Sequence, residues 1–149
     1  MDRAATTRGK KVCGRKRFLA VDTLGLLWGL LVLPASVSDR EGGIRLLALV
    51  REAVKYLQLL WADAAFQGAL EWAWVRWGWV GEVVKRVAGQ LGFVVQPRRW
   101  IVERTFGWFN RSRRLSKEYE RTSTSSEAFI RVAMIHLMLK RLRPAVDGF

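Results

Sequence analysis

The chain has 149 residues, half of them hydrophobic, and a formal charge of +13 from 26 Lys and Arg against 13 Asp and Glu. That length suits one domain with a single core, and so apolar a composition with three prolines argues against disorder. Cys13 is the sole cysteine, which excludes an internal disulfide and favours a reducing compartment; the charge favours a polyanionic partner, most simply nucleic acid, with a membrane surface as the other candidate.

Near the N-terminus stand Lys10, Lys11, Arg15, Lys16 and Arg17. Such a run is normally a solvated face; in a protein that acts on DNA it would read equally well as a set of phosphate contacts. Residues 18–21 and 26–33 are rich in Leu and Val and flank Asp22-Thr23-Leu24-Gly25, a turn signal that predicts a hairpin. Because the apolar runs are continuous rather than alternating, both faces of these strands should be covered. A basic segment followed by the apolar run 24–37 also has the order of a secretory signal, which makes a secreted or membrane-associated basic protein one alternative. The run is short of the roughly 20 residues that span a bilayer, and Gly25 and Gly29 interrupt it. Buried strands are the preferred reading.

Residues 34–38 break the pattern, and Ser38 or Asp39 can cap a helix running to about Lys55, with Ile44, Leu47 and Ala48 on its apolar side. Residues 56–61 read as a short buried strand ending at Asp63. A tryptophan-rich helix is predicted over 66–77, closed by Gly78 and Gly81, with Trp72, Trp74, Trp77 and Trp79 assigned to core packing or an oligomer interface. Residues 82–87 predict another strand. Two helices follow, from Pro97 to about Leu115 and from Ser125 to about Leu142. The second is preceded by TSTSSE, with Glu127 in its first turn. His136 lies among Met134, Leu137 and Met138 and is expected to be packed. The order β-β-α-β-α-β-α-α predicts a mixed α/β sheet with flanking helices.

Between Pro97 and Arg121 the chain holds eight Arg and Lys against three Glu. On a wheel of about 100° per residue, Ile101, Val102, Thr105, Trp108 and Phe109 gather opposite Glu103, while Arg99, Asn110, Arg114 and Lys117 surround it. A carboxylate in a cationic helical face suits a group that holds a metal ion beside a polyphosphate chain. The plainer reading of Glu103 is an i, i+4 pair with Arg99, worth a few tenths of a kcal/mol. Asp63, after its strand, reads first as a cap for the next helix. Asp22 and Asp39 are assigned turn and cap roles. No zinc-ligand spacing, Gly-rich phosphate loop or Ser/His/Asp set occurs.

Several stretches, GKKVCGRKRFLAVDTLGLL, LPASVSDREG, LLWAD and above all FVVQPRRWIVERTFGWFNRSRRLSKEYER, together resemble DDE-type transposases of bacterial insertion sequences, whose catalytic domain is RNase-H-like. The resemblance covers almost everything from Gly9 onward. It implies a partial RNase-H-like catalytic domain over 9–143, an unstructured start over 1–8 and a tail over 144–149. It implies Asp63 and Glu103 as catalytic metal ligands, and Arg99 as the arginine of a Y-R-E-K signature. Gln96 stands where that signature has tyrosine, and Asn110, followed by Arg111, where it has lysine.

Arg99, Arg111 and Arg114, with Lys10, Lys11, Arg15, Lys16 and Arg17, are then expected to contact DNA phosphates. The implied cofactor is Mg²⁺ in a two-metal site, the implied partners are DNA and a second copy or another transposase polypeptide, and the implied location is the bacterial cytoplasm at the nucleoid. The family's first catalytic aspartate sits on an apolar strand upstream of the GKK segment. Residues 1–8 show no such pattern, so the expected sheet lacks its first strand and the chain alone is expected to be inactive. A non-catalytic DNA-binding protein that modulates a full-length transposase is the principal alternative.

Overall fold

The computed structural model describes residues 5–7, 10–84 and 97–142. A long strand β2 (Lys10–Val21) turns back into β3 (Leu27–Pro34), and a three-residue strand β1 (Ala5–Thr7) pairs on the other side of β2. Both pairings are antiparallel. The expected hairpin is therefore present. Its turn is held by Asp22, whose Oδ1 accepts the backbone N–H groups of Leu24 and Leu26, both at 2.8 Å. Gly25 completes the turn at φ 81°, in the left-handed region where a side chain is strained.

The start of the chain corrects the expectation. Ala5–Thr7 is a strand, although its residues carry no strand pattern of their own; it forms because β2 offers it an open edge, with Thr6 opposite Cys13.

Helix α1 (Asp39–Ala53) follows, N-capped by the Ser38 hydroxyl, which accepts from Glu41 N–H at 3.1 Å. Of the two predicted capping residues, Ser38 takes the cap. Asp39 instead opens the helix and pairs with Lys16 at 3.0 Å, where its charge also suits the helix N-terminus. Strand β4 (Leu59–Ala62), a 3-10 turn (Ala64–Phe66), helix α2 (Gln67–Trp77) and strand β5 (Val80–Val83) come next. β4 and β5 run parallel as a second sheet, joined through α2 as a parallel pair requires. Gly78 caps α2 in the left-handed conformation. The single mixed sheet of the sequence reading is thus two small sheets among the described residues. With four helices, α3 (Pro97–Asn110) and α4 (Ser123–Leu142) being the last two, the arrangement is mixed α/β and compatible with an RNase-H-like fold.

The β2–β3 hairpin is covered on both faces. On one side Leu30 and Val32 pack with Phe109 of α3, Leu115, and Ile130 and Met134 of α4. On the other, Phe18 packs edge-on to Phe66, and Ala20 joins Leu47 and Val50 of α1, Ala69 and Ala73 of α2, and Trp79. This is the physical reason the hairpin strands read as unbroken apolar runs. The apolar run 24–37 lies mostly in β3 and its flanking turns, and no described helix is long and apolar enough to cross a membrane.

Trp77 meets Trp72 edge-on and Trp79 at a tilt, with ring centroids 4.8 and 4.9 Å apart. Trp74 faces outward. His136 is exposed, contrary to expectation. The buried stripe of α4 runs through Ser126, Ile130 and Met134, and a residue two positions beyond Met134 lies on the opposite side of the helix.

The outer edge of β3 is closed by a side chain. Glu127 of α4 accepts the Val32 N–H at 2.9 Å and so occupies a donor that would otherwise be open to another strand. Glu127→Ala should leave that buried N–H without a partner and cost about 1–3 kcal/mol, whereas Glu127→Gln, which keeps an acceptor oxygen, should recover most of it. Urea melts of the three proteins decide the point; equal losses in both variants would show that charge, not the acceptor, matters.

Candidate active site and nucleic-acid interface

Asp63 follows the last residue of β4 and is exposed. Its Oδ1 accepts the Ala65 N–H at 3.0 Å, capping the 3-10 turn. The plainer sequence reading of this residue is therefore realised. A strand end at which the chain turns sharply must satisfy the N–H groups of the next turn, and Asp is suited to that.

Glu103 is exposed on α3, in line with Gly107 and Asn110 on the same side. The opposite face holds Thr105 and Phe109 fully buried, with Ile101, Val102 and Trp108 partly so, as the wheel predicts. The helix ends at Asn110, five residues earlier than expected. Successive tight turns follow, with Arg111 N–H bonded to Trp108 O and Ser112 N–H to Phe109 O. Arg114 and Lys117 therefore leave the helical face that carries Glu103. Arg99 lies in the first turn of α3, but its side chain, like those of Lys10 and Lys11, is outside the described residues.

α3 is anchored on the hairpin turn. Thr105 Oγ1 donates to Gly25 O or Ile101 O, at 3.2 and 3.0 Å. Arg104 and Arg141 both donate to Leu24 O, at 3.0 and 3.3 Å, and each lies over the Trp108 ring, at 4.9 and 4.5 Å. Trp108 thus joins two cations from α3 and α4 to the turn. Nothing in the sequence spacing signals this clamp, which joins residue 24 to residues 104 and 141.

The basic cluster of β2 has internal partners. Arg15 donates to Glu120 O at 2.7 Å and Arg121 O at 2.6 Å and pairs with Glu118 at 3.4 Å. Arg17 donates to Leu115 O at 2.9 Å and also reaches Glu118 at 3.4 Å. Lys16 bonds Val37 O and Asp39. Their positions on β2 next to the 115–121 turns decide this: backbone carbonyls left open by tight turns need donors, and arginine supplies several in one fork. Arg114 pairs with Glu120 at 2.8 Å and covers the Phe129 ring at 4.4 Å. Arg111 is exposed, and its side chain makes no hydrogen bond or ion pair with another described residue.

Two exposed carboxylates, one at the end of a parallel strand and one on a helix, have the donor chemistry that a hard divalent cation takes. Among the described residues no three His, Cys, Asp or Glu side chains are grouped as a metal site, and Asp63 Oδ1 already serves as a cap.

The domain is mixed α/β, with one candidate carboxylate at a strand end, one on the exposed side of a helix and strongly basic turns after that helix. A family profile described as "Transposase DDE domain" matches residues 2–138. The chain belongs to that family, whose activity is transposition, whose substrate is DNA and whose chemistry depends in general on divalent metal. No curated protein and no solved structure is matched.

Proposed function

We propose that the domain serves metal-dependent DNA strand cleavage and transfer as a DDE transposase of a bacterial insertion sequence, with Asp63 and Glu103 as two of its three carboxylates. The observation that carries this reading is the placement of Glu103 in the open on a helix whose other face is buried, inside a family match that spans both acids. Phosphodiester transfer needs stabilisation of both the attacking and the leaving oxygen, and two Mg²⁺ ions held by carboxylates supply it when bound. The chain's own part is to hold oxygen ligands on rigid elements and to bring phosphates to them. Arg99 precedes Glu103 by one helical turn and Arg111 follows the end of α3; on this reading both contact DNA phosphates.

On this reading Asp63 and Glu103 alone do not complete a two-metal site. The chain by itself is thus expected to bind DNA at the nucleoid and leave it uncut. Incubation with supercoiled plasmid and Mg²⁺ or Mn²⁺ tests this: the expected result is retention of the plasmid without nicking. Nicking abolished by Glu103→Gln would overturn the inactivity while establishing the role of Glu103. No DNA retention in any salt would overturn the transposase reading itself.

A further inference from the structure

Residues 111–121 carry five cations (Arg111, Arg113, Arg114, Lys117, Arg121) and two acids (Glu118, Glu120). Both acids are engaged by arginines. Glu118 receives Arg15, Arg17 and the hydroxyl of buried Ser126, the last at 3.1 Å, and Glu120 is engaged by Arg114. From beneath, Arg15 and Arg17 bond three of the segment's carbonyls, and Leu115 anchors its middle in the core at 3% exposure. Ser116 adds a bond to Arg113 O at 2.8 Å. Glu118, although exposed, is thus neutralised by its two arginines, whereas Arg111, Arg113, Lys117 and Arg121 are all exposed, and none of their side chains makes a hydrogen bond or ion pair with another described residue.

We propose that this turn segment is a preformed platform for the phosphate backbone of duplex DNA, gripping it through Arg111, Arg113, Lys117 and Arg121. Arg15 and Arg17 act as positioning residues that shape the platform from behind and do not touch DNA themselves. The inference rests on the transposase reading and adds to it. It keeps Arg111 as a phosphate contact but replaces those expected of Arg15 and Arg17 on β2 by Arg113, Lys117 and Arg121, on a turn whose backbone is already ordered, so that little entropy is lost when DNA docks. A surface of this kind positions DNA without reading its sequence.

The salt dependence of DNA binding gives the test. Each neutralised phosphate contributes about 0.9 to the slope of log affinity against log salt. Replacing Arg113, Lys117 and Arg121 together by Gln should therefore lower the slope's magnitude by about 2 to 3, with melting unchanged. A charge-matched control, Lys55, Arg76 and Lys140 to Gln, removes three exposed cations from α2, α4 and the loop after α1, and should change it little. Equal losses in the two triple variants would overturn the platform in favour of diffuse charge and leave the transposase reading standing. Absence of salt-dependent DNA binding by the unmodified chain would overturn both.

Glu118→Gln separates shape from charge. It raises the net charge by one, so a surface acting only through charge would bind DNA more tightly. The platform predicts weaker binding, because Glu118 ties Arg15, Arg17 and Ser126 together; tighter binding by a variant that still melts cooperatively would overturn the positioning role.

Discussion

Phe109→Ala should destabilise the fold by about 3–5 kcal/mol, the range for removing a large buried aromatic side chain. Phe109 is 2% exposed and fills the space between β3 and the last two helices, against Leu30, Val32, Leu115, Ile130 and Met134. Phe106 meets it edge-on with centroids 6.3 Å apart. Domains of this size hold only about 5–15 kcal/mol in total, so the variant should melt far below the parent or be partly unfolded at room temperature. Residues 101–115 should lose amide protection first, because Phe109 and Leu115 are the two fully buried apolar anchors there. Glu103→Gln, on the exposed side of the same helix, should stay within about 0.5 kcal/mol. Denaturant midpoints of the pair test the orientation of α3 directly. A large loss from Glu103→Gln with a small one from Phe109→Ala would mean that the helix faces the other way.

Gly42→Ala should destabilise by about 1–3 kcal/mol, the cost of overpacking a filled core, although Ala is the better helix former by about 1 kcal/mol. The two effects have opposite signs, which makes the outcome informative. Gly42 is buried within α1, and a methyl group there would fall inside the Phe18 ring. Phe18 is 3% exposed and held edge-on by Phe66 at 6.0 Å, so it has no free direction in which to move. The same methyl should be tolerated in a Phe18→Leu background, where the ring is gone, and a double-mutant cycle would report that coupling. If Gly42→Ala raised the melting temperature, the close packing of α1 on β2 would be wrong.

The sequence made most elements legible because their signals are local. The Asp22 to Gly25 turn, the Ser38 cap and the end of α2 at Gly78 each depend on side chains within a few residues, and each appears where its pattern predicts. Those that differed did so for reasons lying elsewhere in the chain. α3 stops at Asn110 rather than near Leu115, since Leu115 must reach the core and Arg17 bonds its carbonyl. β1 forms on an edge that β2 supplies. His136 faces outward because Ser126, Ile130 and Met134 set the buried side of α4.

For the candidate site the division is sharper. Sequence alone determined the amphipathic α3 with Glu103 on its polar side, Asp63 at a strand end, an apolar hairpin covered twice and an excess of positive charge, because composition and periodicity decide which groups water must reach. Only the tertiary structure decided which cations remain available to a polyanion. Arg15 and Arg17, in the most basic run of the N-terminal region, are drawn into carbonyls and a carboxylate that lie about a hundred residues away in the chain, while Arg113, Lys117 and Arg121 keep their charge outward. A hydrogen bond depends on a separation of about 3 Å, and between residues 15 and 120 that separation exists only once the fold has formed.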